Sequence, residues 1–370
     1  MRFSLFRTIL QSLLFLGHLL FYWTLVNFFG VHSPLRRRTL KIVLGVLFLS
    51  LIPASLLASR YSNLWVTCFY TAAASWVGIV YIFVLASIVC WTVYGLAKLF
   101  HLRLNKKILI EVLIGMAVMA SLYGFINSGV IRTTRITLQL HDLPREWKGK
   151  HAVWVSDTHL GPVRKNGFAQ HVATMIQNLR PDIVFIGGDF FDGESVDLDK
   201  IIEPFSHISV PYGIYFITGN HEEFSDNTPY LQAVRRVGMR VLNNEMVEIM
   251  GLQIIGVDYR DTRRPEQYKE ILQKIKINPH KPSILLKHSP LLLEIAKDQG
   301  ISLQLSGHTH QGQVFLLRFI TSQVYHGYDY GLKWFSDLQV YTSSGAGTWG
   351  PPLRIDTKPE IVFITFAGYD

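Results

Sequence analysis

"IVFIGGD", Ile183 to Asp189, is four apolar residues followed by two glycines and a carboxylate. Three of the four are β-branched, and the run has no polar alternation, which reads as a strand buried on both faces in a sheet covered by helices. Gly187 and Gly188 let the backbone approach a neighbour without a side-chain clash, so Asp189 leaves the strand end unobstructed. Four other runs repeat the plan. "AVWV" (Ala152 to Val155) leads into Asp157, Thr158 and His159; "IYFI" (Ile214 to Ile217) into Asn220 and His221; "ILL" (Ile284 to Leu286) into His288; "LQL" (Leu303 to Leu305) into Gly307, His308, Thr309 and His310. Open α/β sheets place their active crevice beyond the carboxyl ends of strands. Each polar group alone reads as a turn former or helix cap, but the recurrence after five strands does not.

Outside these runs, "ITLQL" (Ile136 to Leu140) alternates as a half-buried strand does, and Leu338 to Thr342 and Glu360 to Phe366 are late strands without an obvious helix between them. Phe168, Val172, Met175, Ile176 and Leu179 share one helical face, and Pro265 to Lys276 reads as a further helix. The pattern predicts an α/β domain with two sheets. No internal repeat and no low-complexity stretch interrupts it.

The first third of the chain differs in kind. Of 36 basic and 27 acidic residues, eleven basic ones and a single acidic one, Glu111, precede Ile131, so 25 basic and 26 acidic residues remain for the rest. The formal charge of +9 therefore belongs to the short loops between apolar stretches. The near-neutral remainder offers no phosphate-tracking surface, which argues against nucleic acid as a partner. Ile9 to Phe29, Ile42 to Leu57 and Ile108 to Ile126 each approach the roughly 20 residues that cross a bilayer. Tyr61 to Ala97 carries no charge over its length; it reads as one tilted or extended helix, the alternative being a broken pair. The first segment has no small-x-small cleavage site and a second apolar segment follows closely, so it is expected to stay as an anchor.

About four spans are thus expected over residues 1–130, then a linker with the first strand over 131–149 and a catalytic domain over 150–370. "INSGVIRTTR" is the polar, basic junction. The loops with Arg36, Arg37, Arg38 and Lys41, and with Lys98, Arg103, Lys106 and Lys107, are candidates for the cytoplasmic side. Four spans then put the catalytic domain outside the cytoplasm; five would reverse it. Cys68 and Cys90 are 22 residues apart in one apolar stretch, about 33 Å on a helix, beyond disulfide reach, and read as packing residues. His18 and Glu111 are costly in lipid and read first as helix–helix hydrogen-bonding or snorkelling groups.

Two Asp, one Asn and four His form a mixed nitrogen and oxygen set with no thiolate, which suits two divalent cations of the Mn, Fe or Zn type. Two cations roughly 3.5 to 4 Å apart need a bridging carboxylate, and Asp189, after its two glycines, is the natural one. The D-x-H spacing aims Asp157 and His159 at one ion. His308 and His310, one residue apart after a glycine, can serve one ion each.

The five motifs in this order, over Lys150 to Phe366, resemble the calcineurin-like metallophosphoesterases. The resemblance implies multi-span helices followed by a four-layer α/β/β/α sandwich. It assigns Asp157, His159, Asp189 and His310 to one metal, Asp189, Asn220, His288 and His308 to the second, and His221 as the acid beside the leaving group. "SSGAGTWGPPLRIDTKPEI" (Ser343 to Ile361) resembles the closing segment of a membrane-anchored branch. That branch often has Arg where this chain has Ser344; Arg354 is a possible substitute contact for phosphate, with an outward-facing strand position as the alternative. The function expected is hydrolysis of a phosphoester by a hydroxide held between two metals. A lipid-linked diester or pyrophosphate comes first as substrate. A soluble phosphoester reached by a tethered enzyme is the alternative, and a catalytically inactive membrane receptor or scaffold is the reading from another class. The bilayer itself is the one partner expected besides the substrate.

Overall fold

The computed structural model describes residues 2–192, 196–224 and 226–369. They divide into two compact units: Met1–Ile126 with Gly350–Leu353, and Asn127–Trp349 with Arg354–Asp370.

The first unit is helical: α1 (Arg2–Phe28), α2 (Pro34–Leu49), α3 (Leu51–Ala58), α4 (Leu64–Leu99) and α5 (Lys106–Gly129). Four stretches are long and apolar enough to cross a membrane: Thr8–Phe28, Pro34–Ala58, Leu64–Leu99 and Lys106–Gly129. The second is interrupted at Ser50, because Pro53 lacks an N–H and its ring crowds the carbonyl of Leu49, four residues back. The long neutral segment is one unbroken helix of 36 residues, α4, about 54 Å from end to end. The side chain of Asn63 starts it by accepting from the N–H of Val66 at 3.0 Å.

His18 and Thr24, buried on α1, are satisfied. His18 Nδ1 donates to the carbonyl of Leu14 at 2.8 Å, leaving Nε2 to accept from Trp76 Nε1 at 3.0 Å. Trp91 Nε1 donates to Thr24 Oγ1 at 3.0 Å. Two hydrogen bonds therefore clamp α1 to α4, each contributing about 0.6 to 2 kcal/mol in such a setting. Glu111 stands 3.8 Å from Lys107 one turn earlier, both exposed. Of the two cysteines, only Cys90 packs, against Phe28 and Ile110; Cys68 is exposed on the helix surface, contrary to the expectation for it.

The second unit runs β1 (Arg132–Leu140), β2 (His151–Val155), α6 (Asn166–Leu179), β3 (Ile183–Ile186), α7 (Leu198–Ile202), β4 (Ile214–Phe216), α8 (Thr228–Arg236), β5 (Arg240–Val241), β6 (Glu245–Ile249) and β7 (Leu252–Gly256). It continues with α9 (Pro265–Ile275), β8 (Ser283–Leu286), α10 (Leu293–Asp298), β9 (Leu303–Ser306), α11 (Leu317–Val324), β10 (Gly331–Phe335), β11 (Leu338–Thr342) and β12 (Glu360–Gly368). Two six-stranded sheets result, ordered β1-β12-β2-β3-β4-β5 and β10-β11-β9-β8-β7-β6.

Strand alternation assigns every apolar run to two layers at once. Ala152, Trp154, Ile183 and Phe185 meet Ile254, Ile284, Leu286, Leu303 and Leu305 between the sheets. The intervening Val153, Val155, Val184 and Ile186 face Val172 and Ile176 of α6 and Val234 of α8. On the other side Ile255, Leu285 and Val340 face Tyr268 and Leu272 of α9 and Ala296 of α10. This is the four-layer α/β/β/α sandwich, and it explains why the strands carry no polar alternation.

Two departures from the expected layout have local causes. The basic "RTTR" of the junction is strand, since β1 begins at Arg132 and pairs with β12 from Arg132 opposite Glu360. The β6–β7 hairpin was not legible because its turn, Met250 and Gly251, takes positive φ at both residues (50° and 83°) without the Asn-Gly or Asp-Gly pair that usually marks it.

Candidate metal centre

Register sets the site. Val155 lies opposite Ile186, and Ile186 opposite Phe216, so β2, β3 and β4 end level; β8 and β9 do the same, with Leu286 opposite Leu305. The loops that follow bring together Asp157, His159, Asp189, His221, His288, His308 and His310. His159 Nε2 is 3.0 Å from His310 Nε2, and His308 Nδ1 is 3.2 Å from His288 Nε2. His310 Nε2 is 3.5 Å from Asp157 Oδ1. Asp189 Oδ2 stands between the two halves, 3.9 Å from His159 Nε2 and 3.3 Å from His288 Nε2. In the trios Asp157–His159–His310, His159–Asp189–His221 and Asp189–His288–His308, the ligand atoms lie within 4.8 Å of one another.

The backbone is bent to make this possible. Asp157, His159, Asp189, His308 and His310 all have positive φ, between 47° and 70°. Non-glycine residues rarely adopt it, and such strain concentrates at functional sites. Glycines supply the clearance: a Cβ on Gly219 would overlap Asp189 Oδ1, and one on Gly307 would overlap Asp157 Oδ2.

Hydrogen bonds fix which ring nitrogen faces inward. His288 Nδ1 donates to the carbonyl of Gly187 at 2.7 Å, and His159 Nδ1 meets Asp192 Oδ1 at 3.1 Å, so both present Nε2 to the centre. His221 Nδ1 donates to the carbonyl of Asp192 at 3.2 Å, and its Nε2 is likewise left for the site. Burial alone would raise Asp189, but His288 and His221 beside it hold its carboxyl well below the usual range. Burial opposes charge on His288, yet Asp189 outweighs it and raises the imidazole to about 9. Burial and the neighbouring His288 push His308 down to about 3. Asp189 thus stays ionised, and His308 and His310, the latter also held low by burial and the neighbouring His159, keep free lone pairs, as cation binding requires.

The fit to divalent cations is tested by an atom with nothing else to do. Asn220 Oδ1 is buried and accepts no hydrogen bond. It follows Gly219, which packs on Asp189, and precedes His221, whose N–H donates to Asp189 Oδ1 at 2.8 Å. A buried amide oxygen without a donor costs about 1 to 3 kcal/mol, and a cation beside Asp189 would satisfy it.

Two residues essential to this geometry, Asp192 and Glu222, were not recognised from sequence, and a third, Arg354, sits elsewhere than expected. Asp192 touches both His159 and His221; its signal was a second carboxylate three residues after Asp189. Glu222, fully buried, accepts the N–H groups of Gly219 at 2.7 Å, Phe191 at 2.9 Å and Asp189 at 3.0 Å, tying the β3 and β4 loops together. Burial and the nearby Asp189 push it up to about 7. Arg354 is neither an outward-facing strand residue nor a surface phosphate contact. It is completely buried and donates to the carbonyls of Ser344 (2.6 Å) and Gly347 (2.7 Å), with Nη2 3.1 Å from His310 Nδ1. It braces the loop whose Gly345 closes over Asp157.

Comparison with known proteins identifies the family. Residues 151–312 match the family model described as calcineurin-like phosphoesterase. An uncharacterized metallophosphoesterase of Aquifex aeolicus is 32% identical over 257 residues, 68% of this chain and 98% of the relative. One from Helicobacter pylori is 32% identical, over 61% of each chain. A zebrafish protein named transmembrane protein with metallophosphoesterase domain is 30% identical over 66% of this chain and 59% of its own length.

Proposed function

The chain belongs to the metallophosphoesterase family, and from that premise we propose that it is a membrane-anchored, dinuclear enzyme that cleaves a lipid-linked phosphodiester or pyrophosphate. That it is a metal-dependent phosphoesterase follows from the family; the rest is our reading. The observation that carries the dinuclear centre is Asp189, whose Oδ2 lies between His159 and His288, together with the buried, unsatisfied Oδ1 of Asn220 in the neighbouring loop. Asp157, His159, Asp189 and His310 would hold one ion, and Asp189, Asn220, His288 and His308 the other. The nitrogen and oxygen donors suit Mn, Fe or Zn.

Bound there, two divalent ions supply a nucleophilic water at neutral pH and neutralise charge building on the phosphoryl oxygens. The protein's own groups do the remainder. His159 and His288 are held with Nε2 inward by Asp192 and Gly187. His221, fixed through Nδ1, presents Nε2 to the departing oxygen. Glu222 keeps the loops of Asp189 and Asn220 at a constant separation.

The preference for a lipid-borne substrate rests on the four spans, which confine the enzyme to a surface and raise the local concentration of anything embedded there. A shortened chain beginning at Asn127 keeps the hydrogen bonds from the Asn127 side chain to the carbonyls of Arg354 and Thr357. It is expected to match the full chain on soluble bis(4-nitrophenyl) phosphate and to fall about tenfold or more behind it on a phospholipid diester in vesicles. Equal rates on both substrates would favour a soluble phosphoester instead. The basic loops support an orientation with the catalytic unit outside the cytoplasm. An impermeant thiol reagent applied to intact cells should then label Lys274→Cys and leave Arg37→Cys untouched, and the opposite labelling reverses the orientation.

A further inference from the structure

The chain between the metal centre and β10 carries a helix that serves no core. Immediately after the one-turn helix His310–Gly312, α11 (Leu317–Val324) has no buried residue. Leu317, Ile320 and Val324 recur at the i, i+3, i+7 spacing of one helical stripe, and Ile320 and Val324 are 61% and 54% exposed. Phe319, next to the stripe, is 53% exposed, and Phe315 and Leu316 extend the apolar surface toward the site. A monomer in water gains nothing from such a stripe, and contiguous exposed apolar surface marks contact with something else.

Three features identify what covers it. Over residues 313–335 the only acidic residue is Asp329, which is buried, whereas Arg318, His326 and Lys333 lie toward solvent. Arg318 is paired with Asp356 at 2.7 Å, so Lys333 is the basic group left to meet a headgroup layer, and the apolar face itself carries little charge to keep it from acyl chains. Trp334, 51% exposed, adds an amphipathic aromatic of the kind enriched at membrane interfaces. The same chain carries four membrane-competent helices, so a bilayer is always within reach of this unit.

We propose that the exposed face of α11, with Phe315 and Leu316, is a lipid-docking surface that lies at the boundary of headgroups and acyl chains in the bilayer to which the spans anchor the chain. The consequence reaches the site directly. α11 ends at Val324, and the next residue, Tyr325, sets its ring edge-on to His308 with centroids 6.0 Å apart. Phe224, also exposed, rests on His221 at 4.6 Å. A phosphoester in the headgroup layer would thus meet the mouth of the metal centre without leaving the interface. The inference goes beyond the phosphoesterase reading and does not require the substrate to be a lipid.

The test follows lipid contact rather than activity, so its failure is separable from failure of the substrate reading. In the full chain with Cys68→Ser and Cys90→Ala, a single thiol at Ile320→Cys is labelled with an environment-sensitive fluorophore and reconstituted into vesicles of phosphatidylcholine and phosphatidylglycerol in equal parts. Lipids bearing a nitroxide on the acyl chain are expected to quench it about threefold more than the same label at Lys274→Cys on α9, while aqueous iodide quenches it less. Val324→Cys repeats the measurement on the same stripe should the first variant misfold. Iodide quenching equal to that at Lys274, without nitroxide quenching, overturns the proposal. Protection from both quenchers also overturns it, and cross-linking between the two chains' position 320 would then assign the face to a second copy.

Discussion

Asp189→Asn is expected to empty the metal centre and lower turnover of a soluble diester by on the order of 10⁴-fold or more. The substitution is nearly isosteric, and Asn can keep its Oδ1 on the N–H of His221, where Asp189 accepts at 2.8 Å. The other position is where chemistry changes. Asp189 Oδ2 lies 3.3 Å from His288 Nε2 and 3.9 Å from His159 Nε2, and an amide there replaces the shared acceptor by a donor aimed at both rings. Neither proposed ion would then have its bridging ligand. Metal analysis of the purified full chain should find fewer than one ion, against the two expected for the unaltered chain. Asp182→Asn is the control, since Asp182 pairs with Lys150 at 3.0 Å away from the site. If the Asp189→Asn variant retains both ions and a tenth of the activity, Asp189 is not the bridge, and the dinuclear reading goes with it.

That Asp189 could be singled out from sequence, while Asp192 and Glu222 could not, has a physical reason. A ligand must sit at the end of a strand, and a strand buried on both faces announces itself as an uninterrupted apolar run, so the five loops were legible. Asp192 and Glu222 act through other residues: one orients two imidazoles, the other gathers three N–H groups. Their positions have meaning only once the β3 and β4 loops are adjacent. Arg354 was misplaced for a related reason. Arginine is almost never fully buried without partners, and here the partners are main-chain carbonyls of Ser344 and Gly347, which no side-chain pattern reveals. The positive φ values of five site residues are likewise imposed by the assembled fold and oppose local preference. The membrane spans were the easiest to read because length and apolarity suffice for them. Yet the interruption at Ser50 turns on one proline, and α11, eight residues with none of them buried, did not announce itself.

His221→Ala separates two roles that geometry leaves close together. Its ring shares one trio with His159 and Asp189, as a ligand would, but its Nδ1 is occupied by the carbonyl of Asp192, as suits an acid that must hold one tautomer. If it is the acid, turnover of a diester with an alkyl leaving group should fall by about 10²- to 10⁴-fold with metal content unchanged. The loss should shrink on a 4-nitrophenyl ester, whose leaving group departs as a stable anion and needs little protonation. A ligand would behave differently: metal would be lost, and both substrates would suffer equally. Asp192→Asn supplies the contrast. The main-chain carbonyl 3.2 Å from His221 Nδ1 survives the change and is closer to it than Oδ1 at 3.4 Å, whereas the contact of 3.1 Å with His159 Nδ1 weakens. Its effect should therefore fall on metal affinity, by about 10- to 100-fold, and excess metal should restore turnover. Excess metal should do nothing for His221→Ala. Rescue of both variants by metal would place His221 among the ligands and leave the departing oxygen without a proton donor from this chain.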